Sequence, residues 1–161
     1  PDGVEAGGEI KGMGLLPMET VFQNLKTRTR VSGTFPKVEG ALSSLTGVKL
    51  EGYEIHMGES VLLEGAHPFT EITDHVQNTT KQDGAYCNNV YGSYVHGIFD
   101  KEAVAKNIVK AIGEEKGLDV SEMTGIDFAA FKETQYDKLA DGLRKHLDMK
   151  KIYEILEAGL E

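Results

Sequence analysis

The residues of this chain best suited to proton-transfer chemistry are His96 and the pair Glu54 and His56. His96 lies in Tyr94-Val95-His96-Gly97-Ile98-Phe99-Asp100. The run over 90–99 is apolar with interspersed small residues, which predicts a buried strand. Asp100 then reads as the N-cap of a helix, because a carboxylate there accepts the first free backbone N–H groups. His96 is thereby expected near a strand end, just ahead of a turn into a helix. Open α/β sheets carry reactive side chains at such places. Imidazole changes charge near neutral pH, so a histidine there can act as a general base. Taken alone, a histidine in an apolar strand is more often a satisfied core residue; the surrounding string favours chemistry.

Residues 48–57 alternate as a second strand. Val48, Leu50, Glu54 and His56 fall on one face, and Tyr53, Ile55 and Met57 on the other. On an arbitrary strand Glu54 and His56 would be a surface pair. If this strand lies beside that of His96, one of them reaches the same site. His67 and His75 sit in a polar stretch without neighbours at metal-ligand spacing, so they read as exposed loop histidines. Cys87 is the only cysteine. Its setting, Ala85-Tyr86-Cys87-Asn88-Asn89-Val90, enters a strand rather than leaving one, and no glycine flanks it. A nucleophile elbow needs the opposite on both counts, so Cys87 reads as a hairpin or core residue.

These residues need elements to position them. Residues 1–11 are polar and Gly-rich and read as a loop. A short apolar stretch over 13–16 ends at Pro17. Residues 26–35 alternate with polar residues on both faces, which predicts a strand near a sheet edge. Lys26, Arg28 and Arg30 then form a solvated edge face, or more sharply a docking surface for an acidic partner. A further strand is expected within 59–64, and a long loop or weak hairpin over 66–82. Asp83-Gly84 is a tight-turn signal leading into the His96 strand. Helices follow over 100–112, with Gly113 closing it, and over 128–147. The last helix has Asp148 as its cap, with Ile152, Tyr153, Leu156 and Leu160 in line. Phe128, Phe131, Gln135, Leu139, Leu143 and Leu147 form one stripe of the longer helix.

The 161 residues suit one domain, and 40% are apolar, enough for a core. A net charge of −9 argues against nucleic acid, which wants clustered Lys and Arg. No run approaches the roughly 20 apolar residues of a membrane helix. No signal peptide is visible, and a lone cysteine excludes an internal disulfide, so a cytoplasmic setting is expected. The opening Pro1, in a Gly- and Glu-rich stretch, reads as a cut from a longer protein.

Four strings, in order, resemble the glutamine amidotransferase domain of cobyric acid synthases. Gly92-Ser93-Tyr94-Val95-His96-Gly97-Ile98-Phe99-Asp100 is similar to its histidine motif. Gly12-Met13-Gly14-Leu15-Leu16-Pro17-Met18-Glu19-Thr20 is similar to its Gly-Leu-Gly-Leu-Leu-Pro segment. Gly52-Tyr53-Glu54-Ile55-His56-Met57-Gly58 is similar to its Tyr-Glu-Ile-His motif, and Tyr136-Asp137-Lys138-Leu139-Ala140 to His146-Leu147-Asp148 to its C-terminal signature. The resemblance covers nearly all of the chain.

It implies a fold class: α/β, residues 1–161 being the C-terminal portion of a class I glutamine amidotransferase-like, flavodoxin-like three-layer sandwich. Strands come first and three helices stand at the C-terminal end. It also implies a reaction. A cysteine thiolate attacks the side-chain amide of glutamine, a histidine shuttles protons, and the thioester formed is hydrolysed. That histidine maps onto His96 as general base. The cysteine finds no match, and in the family it precedes a stretch similar to Pro1-Asp2-Gly3-Val4-Glu5, so the fragment is expected to be inactive on its own. Many related enzymes carry a glutamate two residues after the histidine. Ile98 stands there, and cobyric acid synthases likewise lack that glutamate, so a backbone carbonyl or Glu54 is expected to orient the ring.

The resemblance further implies that the ammonia amidates the b, d, e and g carboxylates of adenosylcobyrinic acid a,c-diamide. ATP and magnesium would belong to an N-terminal synthetase domain with the corrinoid substrate; no cofactor or metal is expected in this chain, which has no Gly-x-x-x-x-Gly-Lys-Ser/Thr loop. Glutamine is the expected small-molecule partner. Two other readings stand beside this one: a sister glutaminase (cobyrinic acid a,c-diamide synthase or a cell-wall amidating type), and a binding module that lost its nucleophile.

Overall fold

The computed structural model describes residues 7–122 and 125–159. Residues 1–6 of the expected N-terminal loop, Met123 and Thr124 of the connection before the longer helix, and Leu160 of the last stripe lie outside the described residues. Residues 7–11 have no regular structure. The chain forms two compact units, Pro1–Gly125 and Ile126–Glu161.

The first unit is built on a long hairpin of β1 (Met18–Thr34) and β2 (Lys49–Leu62), joined through a 3-10 turn, Gly40–Leu45. β1 also pairs with β3 (Thr70–Asp74), which pairs with β4 (Thr80–Asp83). β5 (Ala85–Cys87) and β6 (Val90–Gly92) make a separate two-stranded hairpin. β7 (Val95–His96) returns to the large sheet beside β2, giving the order β4-β3-β1-β2-β7. All these pairings are antiparallel. The helix α1 (Glu102–Glu115) follows.

Strand alternation explains the core. Val31 opposes Gly52, Gly33 opposes both Leu50 and Ile72, and Glu54 opposes Val95. Directly paired residues share a face, so Val31, Leu50, Ile72 and Val95 point to one side, where all are buried. Phe35, Val38, Leu42 and Leu45 from the β1–β2 connection, together with Val104 of α1, cover that side. Full burial stabilises by roughly 1.5–3 kcal/mol for each such side chain. The other face is wet and carries Arg30, Tyr53 and His96.

Several expected elements change form. The two strands expected over 48–57 and within 59–64 are one strand, β2. The strand of 26–35 is the second half of β1 and lies in the middle of the sheet, not at its edge. Its outer polar residues mark the solvated face of an antiparallel sheet, which reads like an edge in sequence. The strand over 90–99 is broken at Ser93 and Tyr94 into β6 and β7. Asp100 is not the N-cap of α1: its N–H closes a turn on the Gly97 carbonyl at 2.9 Å, and the cap is Lys101. Gly113 lies inside α1, with Leu118 N–H returning to its carbonyl at 2.9 Å. The weak hairpin expected over 66–82 is β3–β4.

The second unit holds α2 (Phe128–His146) and α3 (Met149–Ala158). Asp127 caps α2 by accepting Ala130 N–H, and Asp148 caps α3 by accepting Lys151 N–H, both at 3.0 Å. Strands first and three helices last is thus the order of this α/β chain.

Candidate functional site

His96 is placed by its neighbours on three sides. Tyr53 stands opposite it across the β2–β7 pair, and Arg30 lies over the Tyr53 ring at 5.7 Å. Beneath β7 is Gly52. A Cβ there would lie 2.3 Å from the His96 carbonyl oxygen and 2.6 Å from Val95 Cγ1, so only glycine lets β7 come this close. After His96 the chain turns through Gly97, whose φ of 78° is in the left-handed region. Ile98 is buried in the core just beyond, and Lys101 reaches Glu51 of β2 at 2.8 Å. That exposed pair is worth no more than about 1 kcal/mol, although its hydrogen bond holds the Glu51 carboxyl below its usual range. The His96 ring is exposed and has no hydrogen-bond partner among the described residues.

The expected neighbourhood of the two strands holds, but Glu54 does not meet His96. The register puts Tyr53 against His96 and Glu54 against Val95, so Glu54 points to the core face and His96 to the outer one. Glu54 is 1% exposed. Its Oε1 takes Lys81 Nζ at 2.7 Å and faces His56 Nε2 at 2.5 Å, while Oε2 has no partner among the described residues. His56 Nδ1 lies 2.6 Å from the Gly58 carbonyl. A carbonyl only accepts, so Nδ1 is the donor to Gly58, and Nε2 is turned to the Glu54 carboxylate. The His56 ring stacks on Tyr94 at 4.5 Å, and Tyr94 OH meets Ser60 Oγ at 2.7 Å. The expectation that Glu54 orients the His96 ring is therefore corrected: it holds His56 and Lys81.

This cluster lines a cleft of about 920 Å³, together with Gln23, Asn24 and Leu25. Those residues belong to a bulge in β1, between the pairs Phe22–Gly58 and Thr27–His56.

Sequence reasoning read Asp83 only as half of a turn signal. It is 5% exposed and gathers three donors: Ser93 Oγ at 2.6 Å, Thr70 Oγ1 at 3.0 Å and the Tyr94 backbone N–H at 3.3 Å. Cys87 ends β5, with Asn88 Nδ2 3.5 Å from its Sγ, in a different sheet from His96. His67 bridges to Tyr86 through the backbone, and His75 Nε2 meets Ser32 Oγ at 2.8 Å. Among the described residues no group of three or more His, Cys, Asp or Glu could hold a metal ion, and no helix is long and apolar enough to cross a membrane.

Comparison with known proteins gives the arrangement a context. A family model described as the CobB/CobQ-like glutamine amidotransferase domain matches residues 1–104. The chain is 47% identical to a cobyric acid synthase of Ruminiclostridium cellulolyticum, over 100% of this chain and 32% of that protein. It is equally identical, 47%, to one of Lachnoclostridium phytofermentans, over 99% of this chain and 33% of that protein. A Thermoanaerobacter cobyric acid synthase is 42% identical over 92% of this chain and 30% of its own length. The chain thus spans about a third of the length of the curated relatives it matches.

Proposed function

The chain belongs to the CobB/CobQ-like glutamine amidotransferase domain family, and we propose that it is the histidine-bearing part of the glutaminase of a cobyric acid synthase. His96 is the general base of that glutaminase. Its thiol partner and a synthetase domain, with ATP, magnesium and the corrinoid, come from the remainder of a longer protein. The observation that carries this reading is the placement of His96. Its imidazole is exposed on the outer sheet face, at the end of β7 and before a glycine turn, inside a string similar to the family's histidine motif. β7 also ends the order of the sheet, and among the described residues no strand pairs with its outer edge, which leaves that edge open to a further strand.

The chemistry follows from that placement. The imidazole takes the proton of a cysteine thiol, and the thiolate attacks the side-chain carbonyl of glutamine. The resulting imidazolium returns the proton to the leaving nitrogen, which departs as ammonia and leaves a γ-glutamyl thioester. Water, deprotonated by the same imidazole, attacks the thioester, and the proton passes back to the sulfur as glutamate leaves. Each step returns His96 to its starting state. The ammonia serves ATP-dependent amidation of the b, d, e and g carboxylates of adenosylcobyrinic acid a,c-diamide.

The test uses the full-length protein that carries this chain, with glutamine, ATP, magnesium and the diamide. The expected products are glutamate and a corrinoid whose mass shows added amides. Glutamate release with an unchanged diamide would remove the cobyric acid assignment and leave a glutaminase of another kind. The chain by itself is expected to release no ammonia; ammonia release that His96→Ala abolishes would overturn the division of the site.

A further inference from the structure

We propose that Asp83 is a positioning residue for His96: a buried carboxylate that breaks the strand ahead of the histidine and so decides which face of the sheet the imidazole occupies. The proposal deepens the glutaminase reading and rests on His96 being its general base.

The argument starts from the break between β6 and β7. Residues 93 and 94 leave both ladders, so their backbone groups need other partners. Asp83 supplies one of them and also takes the Ser93 side chain. Its Oδ1 accepts the Tyr94 N–H, and its Oδ2 accepts the Ser93 hydroxyl at 2.6 Å. Ser93 Oγ in turn accepts the Val95 N–H at 3.0 Å, the first amide of β7. Thr70 of β3 holds Oδ2 from behind at 3.0 Å, and its side chain is fully buried. Hydrogen bonds to an ionised acceptor are roughly twice as strong as neutral ones. At 5% exposure water does little of this work, so the carboxylate is what holds the break in place.

The consequence reaches His96 because side chains alternate along β7. With the break at 93 and 94, Val95 enters the core at 4% exposure and His96 faces out beside Tyr53. A one-residue slip would exchange them, placing the imidazole in the core and valine at the site. Tyr94 is steadied from its other end by the His56 stack and the Ser60 hydroxyl. Glu54 therefore bears on His96 only at a distance, through His56 and Tyr94.

The experiment is Asp83→Asn in the full-length protein. Asparagine keeps the shape but replaces one accepting oxygen with a donor, so it cannot accept from Ser93, Thr70 and the Tyr94 amide together. Three quantities are read: kcat and KM with glutamine, the amidation rate with free ammonia, and the His96 imidazole proton resonances. The glutamine kcat is expected to fall roughly 10- to 100-fold, the size of loss that small misplacements of a reacting group cause. KM and the ammonia-driven rate stay, and the His96 resonances move while those of His67 and His75 hold. A purely structural role would lower both rates together, and that result, or wild-type kcat with unmoved His96 resonances, overturns the proposal. If Asp83→Asn does not fold, Ser93→Ala removes one link and predicts the same pattern in smaller measure; wild-type kcat there overturns it equally. If the wild-type protein shows no glutaminase at all, the functional reading falls. The His96 resonances then still decide the role of Asp83, and unmoved resonances refute it.

Discussion

Gly52→Ala offers a direct test of how β7 presents His96. The added methyl carbon would lie 2.3 Å from the His96 carbonyl oxygen, whereas it would stand 2.6 Å from Val95 Cγ1. An unstrained C···O contact is about 3.3 Å, so something must move by about 1 Å to admit it. β2 is paired with β1 from Lys49 to Leu62, interrupted only by the bulge, and does not yield easily. β7 pairs with β2 through Val95 and His96 alone and ends the sheet. The displacement therefore falls on β7 and carries His96 with it. Overpacking of this kind costs about 1–3 kcal/mol, which leaves a folded protein if the parent is of ordinary stability. Misplacing a reacting group by about 1 Å lowers turnover by roughly 10²-fold. The assay is glutamine-dependent ammonia release by the full-length protein, with ammonia-driven amidation and thermal unfolding as controls. The expected pattern is a large loss of glutamine turnover, a modest fall in Tm and an unchanged ammonia-driven rate. Unchanged glutamine turnover in a variant that carries the alanine would refute the reasoning.

Two further outcomes follow from the same geometry. Glu54→Gln weakens a buried cluster, and a loss of roughly 1–3 kcal/mol is expected in urea unfolding. Because the Glu54 carboxylate lies across the sheet from the His96 ring, the shape of the pH profile for glutamine turnover should not change; a shifted profile would restore a direct role for Glu54. Asp74 provides a test in acid. The Gln77 N–H, then the Val76 N–H and the Thr29 hydroxyl, hold its carboxyl below the ordinary 3.8. A lowered folded value means a contribution present in full above 3.8 and lost as pH falls through the lowered value. Asp74→Ala should therefore lose less stability than the parent as pH falls from 3.8 through the lowered value, and an equal loss over that range would show that the turn after β3 contributes nothing to the acid response.

How much of this was legible in the sequence differs from residue to residue. The end-of-strand position of His96 was expected from the apolar run and from Asp100 as a helix cap, and the position holds although the cap is Lys101. The pairing of its strand with that of Glu54 was a sound expectation. What alternation could not supply was register. It placed Glu54 on the face of Leu50 correctly, yet only the Tyr53–His96 pairing shows that this face is the wrong one for the histidine. Asp83 stayed hidden for a related reason. Its effect is to replace ladder hydrogen bonds ten residues downstream, and no local pattern marks such a contact. Arg28 and Arg30 suggested an edge because charge reports exposure to water, which an outer sheet face and an edge share. Asp100 had the right residue type for a cap, but the Gly97 turn uses its N–H, and the helix starts at Glu102.

The most direct test of the central claim is His96→Ala in the full-length protein, measured with glutamine and with free ammonia as nitrogen source. A general base contributes about 10²- to 10⁴-fold, so glutamine-dependent turnover should fall by that factor while ammonia-driven amidation continues at the parent rate. Glutamine turnover at the parent rate would contradict the assignment of His96, and with it the reading of this chain as the histidine-bearing part of a glutaminase.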